Sequence, residues 1–219
     1  MMGFVYKDFL VMRKQLRYYL VFLVIYGGLS ALGTMPYSVL AGLVVLIPMI
    51  VPMSSFSYDD LARWDKFAAA TPAGRRGVVA GKYVLFLLTL VCSTVVIAGV
   101  LLAMGAAGLI VPDTWWEPML AVLTCASLVM LLNSIILPLL FKFGAEKSRT
   151  ISLVLFAAIF GGGMLLLALM RSRPAETFHA LDWLRGLLNW MPLWTALLGV
   201  AALAASYFLS LRIYARKEL

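Results

Sequence analysis

The long apolar blocks of this 219-residue chain offer only scattered Ser, Thr, Asn, Tyr and Cys side chains for covalent chemistry. His179 is the only histidine, and its place between Glu176 and Asp182, outside the long apolar blocks, indicates a solvated position. Cys92 and Cys125 lie inside apolar blocks without a C-x-x-C spacing, so we expect them to be small packing residues. A catalytic nucleophile or a metal ion would need further bases or ligands beside it. The pattern therefore argues against an enzyme and predicts no metal site.

The charged residues of the chain are confined to short segments between long apolar blocks. A transmembrane helix needs roughly 20 apolar residues, and a charge at the bilayer centre costs at least about 2.5 to 3.5 kcal/mol. The first block is long enough for two spans and breaks at 33–36, where Gly33 can end a helix and Pro36 can begin the next. The chain is therefore predicted to be an all-α integral membrane protein of one domain, 1–219, with six transmembrane helices. They lie near 18–33, 36–56, 83–110, 118–141, 150–170 and 190–211.

The distribution of positive charge predicts the orientation of these spans. Fifteen of the eighteen Lys and Arg residues fall in the N-terminal arm, the second-to-third loop, the fourth-to-fifth loop and the C-terminal tail, which the six-span layout places on one side. Cytoplasmic loops are the ones enriched in Lys and Arg, so both termini are predicted to be cytoplasmic. The same asymmetry accounts for the net charge of +8 without a nucleic acid, and the expected polyanion is the lipid bilayer surface.

Two amphipathic segments are predicted to lie in the membrane interfaces. Residues 4–17 form an N-terminal interfacial helix whose anchors are Phe9, Met12, Arg13 and Lys14, or alternatively an N-terminal extension of the first span. Residues 174–190 form a short amphipathic helix on the outer side. Its interfacial anchors are Trp183 and Trp190.

The second-to-third loop contains a predicted helix over 59–70. Acidic residues begin it, helix-forming residues follow, and Thr71-Pro72 ends it. Trp64 and Phe67 lie on one apolar stripe, for which two interpretations remain open. The aromatic rings either anchor the helix to lipid headgroups, or they fill a groove on a cytoplasmic partner.

Asn133 is the most polar side chain inside any predicted span. One interpretation is a hydrogen bond that holds neighbouring helices together, and the other is a contact along a translocation path.

Three segments of the chain resemble the permease subunits of ABC-2 transporters. They are the Tyr6-Lys7-Asp8 arm, the stretch from Tyr58-Asp59-Asp60-Leu61 through Arg63-Trp64-Asp65-Lys66-Phe67 to Lys82-Tyr83, and the stretch from Pro138 to Arg149. Within that family the chain resembles the small permeases of bacterial peptide exporters. This chain departs from the usual pattern at Thr71, where such permeases often have Leu, and at Gly77, where an acidic residue is common.

The resemblance implies a function and a set of partners. It implies a subunit in the bacterial plasma membrane that moves an amphipathic peptide or lipid-like substrate out of the cell, paired with a second permease copy, most simply as a homodimer. The resemblance also implies two separate ABC ATPase subunits, which would bind ATP and Mg²⁺. This chain itself has no G-x-x-x-x-G-K-[ST] motif, which agrees with that division of labour. Residues 4–17 would be a connector helix and 59–70 a cytoplasmic coupling helix. The residues implied in ATPase coupling are Asp60, Arg63, Trp64, Lys66 and Phe67. The alternative function is a non-transporting membrane immunity or binding protein against membrane-active peptides.

Overall fold

The computed structural model describes residues 2–69, 74–109, 116–171 and 191–216. Every regular element in these ranges is a helix. The helices are α1 (Met2–Ala31), α2 (Ser38–Leu61), α3 (Trp64–Ala69), α4 (Gly74–Ala106), α5 (Glu117–Arg171) and α6 (Met191–Ala215). The outer helix predicted over 174–190, with Trp183 and Trp190, lies outside the described residues.

The N-terminal arm and the first span form one continuous helix, α1. The prediction of a separate interfacial helix over 4–17 is therefore corrected in favour of the alternative, in which the arm extends the span. No proline or glycine stands between Phe4 and Tyr26 to interrupt the backbone hydrogen bonds. The side chain of Met12, predicted to anchor in lipid, is instead buried against Val51 of α2 and Leu85 of α4.

A tight turn at residues 32–37 separates α1 from α2, beside the break predicted at 33–36. Gly33 has a φ of 70°, a left-handed conformation that costs glycine little. The Thr34 backbone N–H donates to the Leu29 carbonyl at 3.1 Å and so satisfies one of the last carbonyls of α1. The turn lets α2 pack back along α1.

Helix α5 consists of two arms joined at Gly144, whose φ of 77° and ψ of 177° are not helical. The first arm covers 117–143 and the second 145–171. Within the described ranges, four helices are long and apolar enough to cross a membrane, and the one over Glu117–Ala158 includes this break. The segment Arg17–Ala31 is a shorter apolar helix. These findings support a multi-pass membrane protein, whereas the six-span count remains a prediction.

The start of α1, the end of α2, the start of α4, the end of α6 and the junction of the two α5 arms lie at one end of the bundle, which we call the charged end. The first arm of α5 runs parallel to α6, because Ser127 Oγ lies 2.9 Å from Thr195 Oγ1 and Phe141 packs against Tyr214. The Tyr83 hydroxyl, near the start of α4, lies 2.6 Å from Ser206 Oγ and 2.8 Å from Ser210 Oγ on α6. Helices α4 and α6 are therefore antiparallel. The Arg75 guanidinium also donates to the Ala215 carbonyl at the end of α6.

Candidate functional site

Four charged side chains form a closed ring at the charged end, where α1, α2 and α4 converge. Lys7 Nζ lies 3.1 Å from Asp8 Oδ1 and 2.5 Å from Asp59 Oδ1. Lys82 Nζ lies 3.1 Å from Asp8 Oδ2 and 2.5 Å from Asp59 Oδ2. Each ammonium thus contacts both carboxylates, and each carboxylate contacts both ammonium groups. We call these four residues the charged ring.

Burial makes the charged ring more consequential than an ordinary surface ion pair. The side chains of Asp8 and Lys82 are each 4% exposed, and that of Asp59 is 9% exposed. Burying a charge is expensive unless a partner compensates it, so two lysines and two aspartates provide a set with no net formal charge. The removal of any one member leaves an uncompensated charge among three packed helices.

Neighbouring side chains complete the surroundings of both lysines. Lys82 Nζ also donates to Ser55 Oγ, and it lies 5.1 Å from the centre of the Phe56 ring. Lys7 Nζ lies 4.5 Å from the centre of the Trp64 ring, within the range of a cation–π interaction. Trp64 belongs to α3, so this contact joins the charged ring to the short helix that follows α2.

The residue after Asp59 links α2 to the break in α5. Asp60 Oδ2 accepts a hydrogen bond of 2.8 Å from the Ala145 backbone N–H, the first amide after Gly144. A carboxylate at this position satisfies an otherwise unpaired donor at the start of the second arm and interacts favourably with the helix dipole. Adjacent aspartates at the end of α2 therefore contact two different parts of the bundle, Asp59 the charged ring and Asp60 the α5 break.

The helix predicted over 59–70 is in fact divided into two elements. Helix α2 continues to Leu61, residues 62 and 63 form a turn, and α3 begins at Trp64. Arg63 has a φ of 48°, and the Ala62 N–H donates to the Tyr58 carbonyl at 3.0 Å. A residue in the left-handed conformation commonly ends a helix in this way. The acidic pair that was expected to begin a helix therefore lies in the last turn of α2.

The predicted coupling residues occupy different environments. The Phe67 side chain is 67% exposed, and Leu61, the last residue of α2, is 83% exposed. Arg63 is also exposed, whereas Trp64 is half-buried and packs against Lys7. The side chain of Lys66 lies outside the described residues. Leu61 ends α2 two residues after Asp59, and the Phe67 ring lies 6.4 Å from the Trp64 ring; we call these two exposed apolar side chains the α2–α3 surface.

The predicted anchors in the N-terminal arm also differ from one another in their exposure to solvent. Phe9 is 45% exposed, while Met12 is buried, and the anchoring role of Phe9 stays a prediction. The side chains of Arg13 and Lys14 lie outside the described residues.

Asn133 lies in the interior of the bundle and is fully buried. Its Nδ2 donates to the Val129 carbonyl of the same helix at 3.1 Å, and its Oδ1 has no hydrogen-bond partner within the described parts of the protein. The side chain therefore does not join two helices through a hydrogen bond among the described residues. Its proposed contact with a transported substrate remains a prediction.

The charged ring itself was missed by reasoning from the sequence. Lys7 and Lys82 counted only as positive residues on the cytoplasmic side, and Asp8 and Asp59 were given no role. One signal was available: Asp59 directly follows the first apolar block and Lys82 directly precedes the second. Charges so close to apolar blocks are candidates for burial, and a buried charge requires a partner.

The family model described as ABC-2 family transporter protein matches residues 3–215. Comparisons with curated proteins and with solved structures give no significant match. The matched region covers nearly the whole chain and includes all four residues of the charged ring. The chain therefore belongs to the ABC-2 family of transporter proteins.

Proposed function

We propose that this protein is the permease subunit of an ATP-binding-cassette exporter. Membership of the ABC-2 family supports a transmembrane transporter subunit that is not itself catalytic. In the proposal, two copies of the permease pair in the bacterial plasma membrane, with both termini in the cytoplasm. Two ATPase subunits bind ATP and Mg²⁺ below them, and the cargo is an amphipathic peptide or a lipid-like molecule.

The observation that carries the coupling assignment is the position of the α2–α3 surface. Phe67 and Leu61 are large, apolar and exposed; Leu61 ends a helix that is long and apolar enough to cross a membrane, and Phe67 follows it on α3. Exposed apolar side chains on a short helix can fill a groove on a partner protein. We assign the ATPase contact to this surface, with the exposed Arg63 beside it, and Lys66 keeps the coupling role that the resemblance implies.

The charged ring connects the proposed ATPase contact on α3 to the long helices α1, α2 and α4. Movement of α3 would pass through the two-residue turn at 62–63 into α2, and through Trp64 and Lys7 into α1. Asp59 connects α2 to Lys82 of α4. Because charges buried together resist separation, we expect the inner ends of α1, α2 and α4 to move as one unit when ATP closes the ATPases.

The test compares two phenylalanines with nearly equal exposure. Phe67→Ala removes an apolar ring from the α2–α3 surface, and Phe208→Ala removes one from α6, where the ring is 65% exposed. Loss of a central apolar anchor commonly weakens an interface by about 2 kcal/mol, or roughly 30-fold. We expect Phe67→Ala to reduce co-purification of the ATPase and permease-stimulated ATP turnover, and Phe208→Ala to leave both unchanged.

The single Phe67 substitution is preferable to one that also changes Trp64, because Trp64 contacts the charged ring. Unchanged assembly and ATP turnover in Phe67→Ala would overturn the assignment of the coupling surface. If the purified wild-type permease binds a membrane-active peptide but neither associates with an ATPase nor supports transport in vesicles, the immunity or binding function replaces the exporter.

A further inference from the structure

Helix α2 caps the start of the second α5 arm. The N-terminus of a helix is commonly capped by a side-chain oxygen on the residue before its first turn, but Gly144 has no side chain. Asp60 of α2 provides the oxygen instead, through the 2.8 Å hydrogen bond from the Ala145 N–H to its Oδ2. The same oxygen lies 3.2 Å from the place that a Cβ atom on Gly144 would take. The Asp60 carboxylate therefore occupies the space that a side chain at the break would fill.

The backbone of Gly144 has the freedom of a hinge. Its φ of 77° and ψ of 177° lie in a region that is essentially restricted to glycine. Without a Cβ atom, glycine also reaches the other allowed regions at little steric cost. The direction of the second arm is therefore set by the contacts that the arm makes, and the backbone of residue 144 does not fix it.

The second arm is held mainly near this hinge. Among the side chains of the arm that the structure describes, the buried ones all lie in its first turns: Ala145, Ser148 and Ser152. Phe156, further along, is partly buried against the core. Four large apolar side chains of the arm are 62% to 74% exposed: Leu153, Val154, Met164 and Leu165. A helix that is held near one end can change direction as a rigid body about that end.

The buried face of these first turns contains two hydroxyl groups without partners. Ser148 is fully buried and Ser152 is 2% exposed, and neither Oγ atom has a hydrogen-bond partner within the described ranges. The buried hydroxyls of Thr89 and Ser93 on α4, by contrast, donate to carbonyls of their own helix. A buried polar group without a partner destabilises the arrangement that contains it. The present position of the second arm is therefore less favourable for Ser148 and Ser152 than one in which they are paired.

The two adjacent aspartates of α2 differ in how easily their contacts can be broken. Asp59 pairs with both lysines of the charged ring and its side chain is 9% exposed, so its separation would leave buried charges uncompensated. Asp60 is exposed, and its described contact is one hydrogen bond to a backbone amide. An exposed carboxylate can exchange such a bond for water at a modest net cost. The charged ring is therefore a fixed connection, whereas the Asp60 bond can be released.

We propose that Asp60 is a releasable clamp on a hinge at Gly144, and that loss of its bond to Ala145 lets the second α5 arm swing relative to α2 and α4. Release allows the Ser148 and Ser152 hydroxyls to turn towards new partners. The first arm stays in place, because Phe141 packs against Tyr214 of α6. This inference concerns the permease alone and holds whether or not the α2–α3 surface contacts an ATPase.

Distances between spin labels test the hinge in the full chain. The protein is placed in lipid nanodiscs, with Cys92 and Cys125 replaced by Ser. A nitroxide at Val95→Cys on α4 is combined with a second one either at Val154→Cys on the second arm or at Ile135→Cys on the first arm. We call these the across-hinge pair and the control pair. The three labelled side chains are all exposed, so the labels should not disturb the packing.

Double electron–electron resonance then measures how Asp60 restricts each distance. We expect Asp60→Ala to widen the distance distribution of the across-hinge pair about twofold, because the uncapped arm is no longer held in one direction. The distribution of the control pair should not change. Glu146→Ala is the matched control variant, since it removes an exposed carboxylate one residue from Ala145 and leaves the clamp in place.

Asp60→Asn keeps the proposal testable if Asp60→Ala fails to fold. The Asn side chain retains an oxygen that can accept the Ala145 N–H, but an uncharged acceptor forms a weaker bond. Its across-hinge distribution should therefore be wider than that of the wild type and narrower than that of Asp60→Ala. Across-hinge distributions that equal the wild type in every folded Asp60 variant would overturn the clamp. Equal widening of both pairs would also overturn it, because Asp60 would then support the whole bundle.

Discussion

At the scale of residues, the most consequential contacts are those among Lys7, Asp8, Asp59 and Lys82. An exposed ion pair contributes little, because water and salt screen it. The carboxylate of Asp8 and the ammonium of Lys82 are almost completely removed from water, so each depends on the other charges of the ring. The ring joins α1, α2 and α4 at this end, since each of its charges is neutralised by residues of the other helices or of the same turn.

Asp8→Asn tests this dependence by removing one charge with little change in shape. Breaking a buried ion pair from one side costs about 3 to 5 kcal/mol, and we expect that loss in the free energy of unfolding of the solubilised protein. Asp8→Asn combined with Lys82→Gln restores neutrality, so its loss should be smaller than the sum of the two single losses. Denaturant titration in mild detergent measures all three variants, with the exposed Arg76→Gln as control. Strict additivity would contradict a coupled ring.

At the scale of elements, the sequence predicted apolar blocks more successfully than helix ends. The end of α2 was mistaken for the beginning of a new helix, because acidic residues favour the first turn of a helix. In the structure, Asp59 and Asp60 are placed by partners from other elements, Lys82 of α4 and the Ala145 amide of α5. Such partners override a local preference worth about 0.3 to 1 kcal/mol.

Gly144→Ala tests the break in α5. Gly144 has a φ of 77°, and an added Cβ atom would lie 3.2 Å from Asp60 Oδ2. A left-handed conformation costs a non-glycine residue about 1 to 2 kcal/mol, so we expect at least that loss in the free energy of unfolding. Gly27→Ala is the control, because Gly27 is helical and has open space for a Cβ atom. Since alanine is favoured over glycine in a helix by about 0.5 to 1 kcal/mol, we expect this variant to have a higher free energy of unfolding. If both variants were stabilised equally, Gly144 would be helical like Gly27, and the break in α5 would be contradicted.

At the scale of the whole molecule, the charged end collects the first turns of α1 and α4, the last turns of α2 and α6, and the junction of the two α5 arms. Helix α4 is about 50 Å long, which exceeds the roughly 30 Å hydrocarbon core, so its charged end can project beyond the membrane. Both described ends of the chain, near Met2 and Arg216, therefore lie on the same side of the bundle. The positive-inside pattern predicts that this side is cytoplasmic.

Cysteine labelling tests this orientation on intact cells. In a background in which Cys92 and Cys125 are replaced by Ser, Thr34→Cys introduces a thiol in the exposed turn between α1 and α2, and Ser57→Cys introduces one near the charged end. A membrane-impermeant maleimide should label Thr34→Cys on intact cells and Ser57→Cys only after the membrane is opened. The opposite labelling pattern would invert the predicted orientation.

The sequence by itself determined that the chain belongs in a membrane, approximately where its apolar helices lie, and which family it resembles. These properties follow from the transfer cost of each residue and from short segments, so they can be read along the chain. Only the tertiary structure decided that Asp59 pairs with Lys7, 52 residues away, and that Lys82 contacts Asp8 across 74 residues. It also decided that Asp60 holds the start of the second α5 arm. Which charges neutralise one another depends on which helices pack together, and that is settled by the fit of all the helices at once.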